Sequence, residues 1–204
     1  MSKLENRDGV VLIDRSGSMS QTDTLSGGTR WKEAQETTEA LARELAKNDP
    51  DGIDLHTFNH GVKSYKGVTP DRVAGVFKES GPSGSTILAP ALRVVFANYL
   101  ENKKTGKTKP NGELLVVVTD GQPEDESAVA KEISQFTHKL ENGDGEYGIL
   151  FLQVGKDTAA TKFLKGLDDD LVKQGAKFDI VDTKTMEEMD GVSLTDALMA
   201  ALDD

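Results

Sequence analysis

Three runs of apolar residues on consecutive positions, VVLI at 10–13, LLVVV at 114–118 and GILFL at 148–152, restrict what this chain can fold into. A strand with one wet face alternates polar and apolar side chains. A strand that is apolar on every position has both faces covered, which is the condition of a central parallel strand beneath helices. The runs are too short to cross a bilayer and too rich in β-branched residues to read as buried helix. Longer segments with helical periodicity separate them, the alternation expected of a doubly wound α/β sheet.

On this pattern the strands are Gly9–Asp14, Ile53–Phe58, Leu114–Asp120 and Tyr147–Val154, with a weaker one at Phe178–Val181. Trp31, Ala34, Thr38, Leu41, Ala42 and Leu45 keep the spacing of one helical face through RWKEAQETTEALAREL, which puts Trp31 in the core. Asn59-His60-Gly61 reads as a tight turn, after which Val62–Tyr65 returns as an antiparallel edge strand. Further helices fit Pro70–Lys78, a segment opened by Thr86 with Pro90 in its first turn, Glu124–Leu140, Asp157–Leu164 and Leu194–Leu202; Leu167–Gly175 has no clear assignment. The expected architecture is a mostly parallel central sheet with one antiparallel edge strand and helices on both faces. No linker or composition break divides residues 1–204, so one domain is expected.

The formal net charge of −11, from 35 acidic against 24 basic side chains, repels phosphate backbones and anionic headgroups, making nucleic acid and membrane surfaces poor partners. A polar N-terminus runs into only four apolar residues, Val10–Ile13, too few for a signal segment. Cysteine is absent, which fits a reducing compartment and an expected cytoplasmic location.

Asp14-Arg15-Ser16-Gly17-Ser18 leaves the first buried strand at the carboxyl edge of the sheet, where open α/β sheets bind ligands. Three short oxygen-bearing side chains spaced two apart converge only if the loop curls, and Gly17 would supply that freedom. Asp120 closes the run LLVVVTD and emerges at the same edge. Two carboxylates held close together repel unless a cation lies between them. A further donor fits the Gly/Ser-rich stretch 81–86, where Thr86 or Ser85 lies near a helix start. An all-oxygen donor set points to Mg²⁺, with Mn²⁺ or Ca²⁺ as competitors.

DRSGS at 14–18, GST at 84–86 and TDG at 119–121, in this order, resemble the von Willebrand factor A family and its metal-ion-dependent adhesion site. The resemblance runs over nearly the whole chain. It implies that Ser16, Ser18 and Thr86 bind the metal through their hydroxyls, with Asp14 and Asp120 acting directly or through water. It also implies a non-catalytic protein-interaction module, because a cation touched by few ionised ligands keeps its charge and attracts an Asp or Glu of a partner protein. The chain resembles bare intracellular bacterial-type members, some of which are associated with tellurite or stress resistance clusters or with AAA+ ATPase partners. Related domains relay conformational change through the helix after the last strand, here within Met186–Leu202.

A catalytic alternative is a Mg²⁺-dependent phosphatase of haloacid-dehalogenase type using Asp14. Those enzymes need a carboxylate two residues after the nucleophile as general acid, and Ser16 stands there. The loop Gln21–Arg30 borders the site, where Asp23, Thr24 and Arg30 either tune partner choice or lie solvated. Lys103, Lys104, Lys107 and Lys109 fall in a loop at the opposite edge and read as solvated, with docking to an acidic surface as the rival. His56 and His60 are expected in surface or turn roles, and Asp168–Asp170 and Asp203-Asp204 as solvated acids.

Overall fold

A computed structural model describes residues 3–48 and 50–202; the acidic pair Asp203-Asp204 lies outside them. In chain order the elements are β1 (Asp8–Asp14), α1 (Arg30–Leu45), β2 (Ile53–Phe58), β3 (Val62–Val68), α2 (Pro70–Glu79), α3 (Ala89–Lys104), β4 (Glu113–Thr119), α4 (Glu126–Thr137), β5 (Tyr147–Gln153), α5 (Thr158–Asp170), β6 (Val181–Thr185) and α6 (Leu194–Ala200). The strands form one six-stranded sheet in the order β3-β2-β1-β4-β5-β6. All neighbours are parallel except β2 and β3, so the expected architecture of a mostly parallel sheet with one antiparallel edge is present. Among the described residues no helix is long and apolar enough to cross a membrane.

Consecutive apolar residues divide between two cores, as burial on both faces requires. Val10, Leu12, Leu115, Val117, Ile149 and Phe151 face one way, under Leu92, Val95 and Phe96 of α3, Val129 and Ile133 of α4, and Leu164 of α5. Val11, Ile13, Leu114, Val116, Leu150 and Leu152 face the other, under Ala34 and Leu41 of α1, Val73 and Phe77 of α2, and Leu198 of α6. Each such aliphatic side chain contributes about 1.5–3 kcal/mol by leaving water. Helix starts are locally encoded: the Thr29 hydroxyl accepts from Lys32 N–H, Asp157 from Ala159 and Ala160 N–H, and Ser193 from Asp196 N–H.

Several sequence expectations shift. The last strand is Val181–Thr185, not Phe178–Val181: as an edge strand it tolerates the polar run VDTKT, while Ile180 only leads into it by accepting from Ile149 N–H at 2.7 Å. β3 continues to Val68 past an irregularity opposite Ile53/Leu55. The helix expected from Thr86 begins at Ala89, leaving Thr86 in an extended loop, and α5 runs on through Leu167 to Asp170. Trp31 is half-buried against Phe77, ring centroids 4.4 Å apart, and lies at the margin of the core. His56 is a buried strand residue whose Nδ1 lies 2.8 Å from Ser64 Oγ, and burial pushes its pKa down to about 4. Lys103 belongs to the last turn of α3 and pairs with Glu146 at 2.6 Å and Glu141 at 3.1 Å, so it is no free loop cation.

Near these lysines, at the edge opposite the carboxyl ends, Glu113 is buried at the start of β4 and accepts from the Tyr147 hydroxyl at 2.8 Å. Burial pushes its carboxyl up to about 8.

Candidate metal site

The chain leaves β1 toward β2 on one side, while β4 pairs on the other, so strand order reverses between β1 and β4. Their register aligns Ile13 with Val118, and Asp14 and Thr119 therefore end adjacent strands with Asp120 one residue beyond. This is the crevice where an open α/β sheet presents ligands.

Asp14 is fully buried. Its Oδ1 accepts from Ser16 N–H at 2.7 Å and its Oδ2 from the Thr119 hydroxyl at 2.7 Å. After Ser16 the loop curls through one turn of 3-10 helix, Gly17–Ser20, anchored by the fully buried Met19. Gly17 does not adopt a left-handed conformation, contrary to the expectation that its freedom bends the loop; the 3-10 turn does so. The turn brings Ser16 Oγ to 3.0 Å from Ser18 Oγ, and Ser18 donates to Asp120 Oδ1 at 3.0 Å.

The loop carrying Thr86 is stitched to the same place by backbone bonds. Gly17 N–H donates to Gly84 O at 2.9 Å, Ser83 N–H to Arg15 O at 2.9 Å, and Glu124 N–H to Thr86 O at 3.0 Å. Asp125 completes the brace by accepting from Leu88 N–H at 3.2 Å and Ala89 N–H at 2.9 Å, the unpaired donors at the start of α3. Thr86 is buried, and its hydroxyl lies 4.0 Å from where a Cβ on Gly121 would stand, beside Asp120. All five residues singled out from the sequence thus meet at one edge.

The electrostatics follow from burial. The Asp14 carboxyl is pushed up to about 6, first by desolvation and then by the charge of Asp120. Desolvation also raises Asp120, opposed by Arg30. Arg30, buried at the head of α1, donates from Nη1 to Asp120 Oδ2 at 2.8 Å and forks onto Asp23 with two bonds of 2.6 Å. The loop Gln21–Arg30 is therefore tied to the site, with Thr24 buried too. Among the described residues no three His, Cys, Asp or Glu side chains gather as a metal-binding group. Two carboxylates flanked by neutral hydroxyls nonetheless suit a small hard cation, which takes oxygen donors.

Three contributors escape the sequence reading: Thr119, Asp125 and the contact of Arg30 with Asp120. Thr119 stands within TDG and Asp125 beside a helix start, but neither pattern identifies the oxygen or amide each one meets. Arg30 left one signal, a cation in the first turn of a helix, where the dipole favours an anion.

The family profile described as von Willebrand factor type A domain matches residues 10–122, more than half of the chain. No curated protein sequence matches it. Among solved structures, the manganese-loaded TRAP protein of Plasmodium vivax superposes with a TM-score of 0.67 at 13% identity, covering 99% of this chain and 75% of that one. A mutant of the PilB minor pilin from Streptococcus sanguinis gives 0.66 at 13% identity, covering 98% and 60%. Proximal thread matrix protein 1 of the mussel byssus gives 0.57 at 18% identity, covering 98% and 48%. The chain thus spans less than two thirds of the last two, and at these identities the likeness is one of fold.

Proposed function

This chain belongs to the von Willebrand factor type A domain family, whose members are generally interaction modules, and from that premise we propose that it binds a protein partner through one divalent cation. Asp14, Ser16, Ser18, Thr86 and Asp120 would hold the ion, Mg²⁺ by preference with Mn²⁺ or Ca²⁺ as substitutes. The ion would supply a Lewis-acidic centre for a carboxylate, so the partner contributes an Asp or Glu. The observation that carries this reading is the meeting of two fully buried carboxylates, Asp14 and Asp120, with the Ser16 and Ser18 hydroxyls at the switch point of the sheet. Manganese in the similar TRAP structure supports it.

We further infer that residues 1–204 act as one domain, since the matched region and the remainder share one sheet, and that it works in the cytoplasm, which a cysteine-free sequence suits. The phosphatase alternative finds no support: the position two residues after Asp14, where such an enzyme needs a general acid, carries Ser16.

Isothermal titration of Mg²⁺ and Mn²⁺ into the wild type and Asp14→Ala tests the site. Binding by the wild type and its loss in the variant is expected; equal affinity would sink the assignment. Capture of partners in Mg²⁺ and in EDTA tests the mode, and a partner held equally in both would refute recognition through the metal.

A further inference from the structure

Arg30 sits where local rules argue against it. It is the first residue of α1, at the positive end of the helix dipole, and its side chain is only 5% exposed. Burying a guanidinium is costly unless every face of it is paired. Here it is paired on two sides, with Nη1 on Asp120 Oδ2 at 2.8 Å and with Nε and Nη2 on the two oxygens of Asp23 at 2.6 Å. The slot is shaped for it: Gly155 has a left-handed φ of +72°, and a Cβ there would come within 2.3 Å of Arg30 Nε. Lys156 N–H donates to Asp23 Oδ2 at 3.4 Å, fixing the outer side.

Structural mending alone does not require this arrangement, because Asp120 Oδ1 already accepts from Ser18 at 3.0 Å and a neutral donor would satisfy Oδ2. A full positive charge does more. It cancels much of the negative charge that Asp120 offers to a neighbouring cation, without removing the side chain from the edge.

We propose that Arg30 is a positioning residue, a fixed countercharge on Asp120 that weakens the hold of this site on a bare cation and strengthens the hold of the loaded site on an acidic ligand. The inference rests on the metal-site reading above. A cation among Asp14, Asp120 and Arg30 meets less net negative charge than among the two aspartates alone, so it binds less tightly and stays more attractive to a carboxylate. Metal and carboxylate then bind cooperatively, each raising the affinity of the other by the same factor. Asp23 modulates the effect from behind by drawing the guanidinium charge away from Asp120.

The probes are Mn²⁺ alone, followed by calorimetry and by its electron paramagnetic resonance, and Mn²⁺ with acetate as a minimal carboxylate. Arg30→Gln keeps a donor for Asp120 but removes the charge. It is expected to tighten Mn²⁺ binding on the order of tenfold and to shrink the gain in Mn²⁺ affinity that acetate gives the wild type. Loss of a merely structural contact would lower affinity instead, so an unchanged or weaker Mn²⁺ affinity in folded Arg30→Gln overturns the proposal. Asp23→Asn, on a partly exposed loop residue, has the opposite expected sign: weaker Mn²⁺ binding and a larger acetate gain. Unchanged or tighter binding in Asp23→Asn overturns the proposal even if Arg30→Gln does not fold. Failure of the wild type to bind Mn²⁺ would overturn the metal-site reading itself, and that arm reports it separately.

Discussion

The Thr119 hydroxyl donates to Asp14 Oδ2 at 2.7 Å, joining the ends of two adjacent parallel strands in a place closed to solvent. With Ser16 N–H on the other oxygen, Asp14 is held in place, but as a buried carboxylate near a second one. Asp14→Asn keeps an acceptor for Ser16 and leaves the Thr119 hydroxyl free to rotate. In EDTA near neutral pH this variant should be more stable than the wild type, on the order of 1–3 kcal/mol, read as a rise in Tm of about 2–4 °C per kcal/mol. Mg²⁺ should raise the Tm of the wild type and not that of the variant. A variant less stable than the wild type in EDTA would contradict the electrostatic account.

Asp125 touches no proposed ligand atom, yet its carboxylate holds the amides of Leu88 and Ala89 and so fixes the loop bearing Thr86. Asp125→Ala should cost about 1–2 kcal/mol in chemical denaturation, as loss of a helix cap does. It should also weaken Mn²⁺ binding in calorimetry. Unaltered binding in the variant would show that Thr86 needs no such brace.

At Gly155 a methyl group would meet Arg30 Nε at 2.3 Å, in a conformation L side chains rarely adopt. Gly155→Ala should destabilise by about 1–3 kcal/mol. Because Arg30 must yield, hydrogen exchange should quicken through residues 23–30. Unchanged protection there would mean that the slot relaxes elsewhere.

Glu113 gives the fold a pH dependence independent of the Asp14–Asp120 edge. Its carboxyl rises from an ordinary 4.5 to about 8 through burial, reinforced by Asp8 and Asp54 and opposed by the Tyr147 hydrogen bond and Lys66. The folded chain therefore keeps a proton that the unfolded chain releases. Its stabilising contribution is complete below pH 4.5 and is lost as pH rises through about 8. Glu113→Gln should remove up to about 1.4 kcal/mol per pH unit of that decline. Urea denaturation of both proteins across this range measures it, and parallel curves would refute the assignment.

The central strands are legible in the sequence because burial on both faces leaves an unbroken apolar run, as in Leu114–Val118. An edge strand has no such requirement, which is why β6 lies in VDTKT and not in the more apolar residues before it. Asp14, Ser16, Ser18, Thr86 and Asp120 are legible as a group because two strand ends and one Gly/Ser-rich approach to a helix each carry oxygen donors. The geometry that brings them together is less so. Asp125 falls inside the expected helix Glu124–Leu140, but it stands at the head of α4 and holds amides at the start of a different helix, α3. Arg30 reads as a loop residue that either tunes partner choice or lies solvated, and only the register of β1 and β4 places Asp120 beside it. The burial of His56 is hidden for a similar reason: pairing with β3 supplies Ser64 Oγ, which no local pattern reveals.

The antiparallel turn-back of β3 sets the outer limit of the sheet. Among the described residues its only strand neighbour is β2, so one row of its backbone amides and carbonyls is unpaired by strands. Along it stand Lys63, tethered to Glu79, and Lys66, tethered to Asp54. A second molecule laying a strand there would bring its own chain against these two lysines, and a charged edge disfavours such pairing. Charge therefore guards this edge of the sheet, on the side of β2 away from β1.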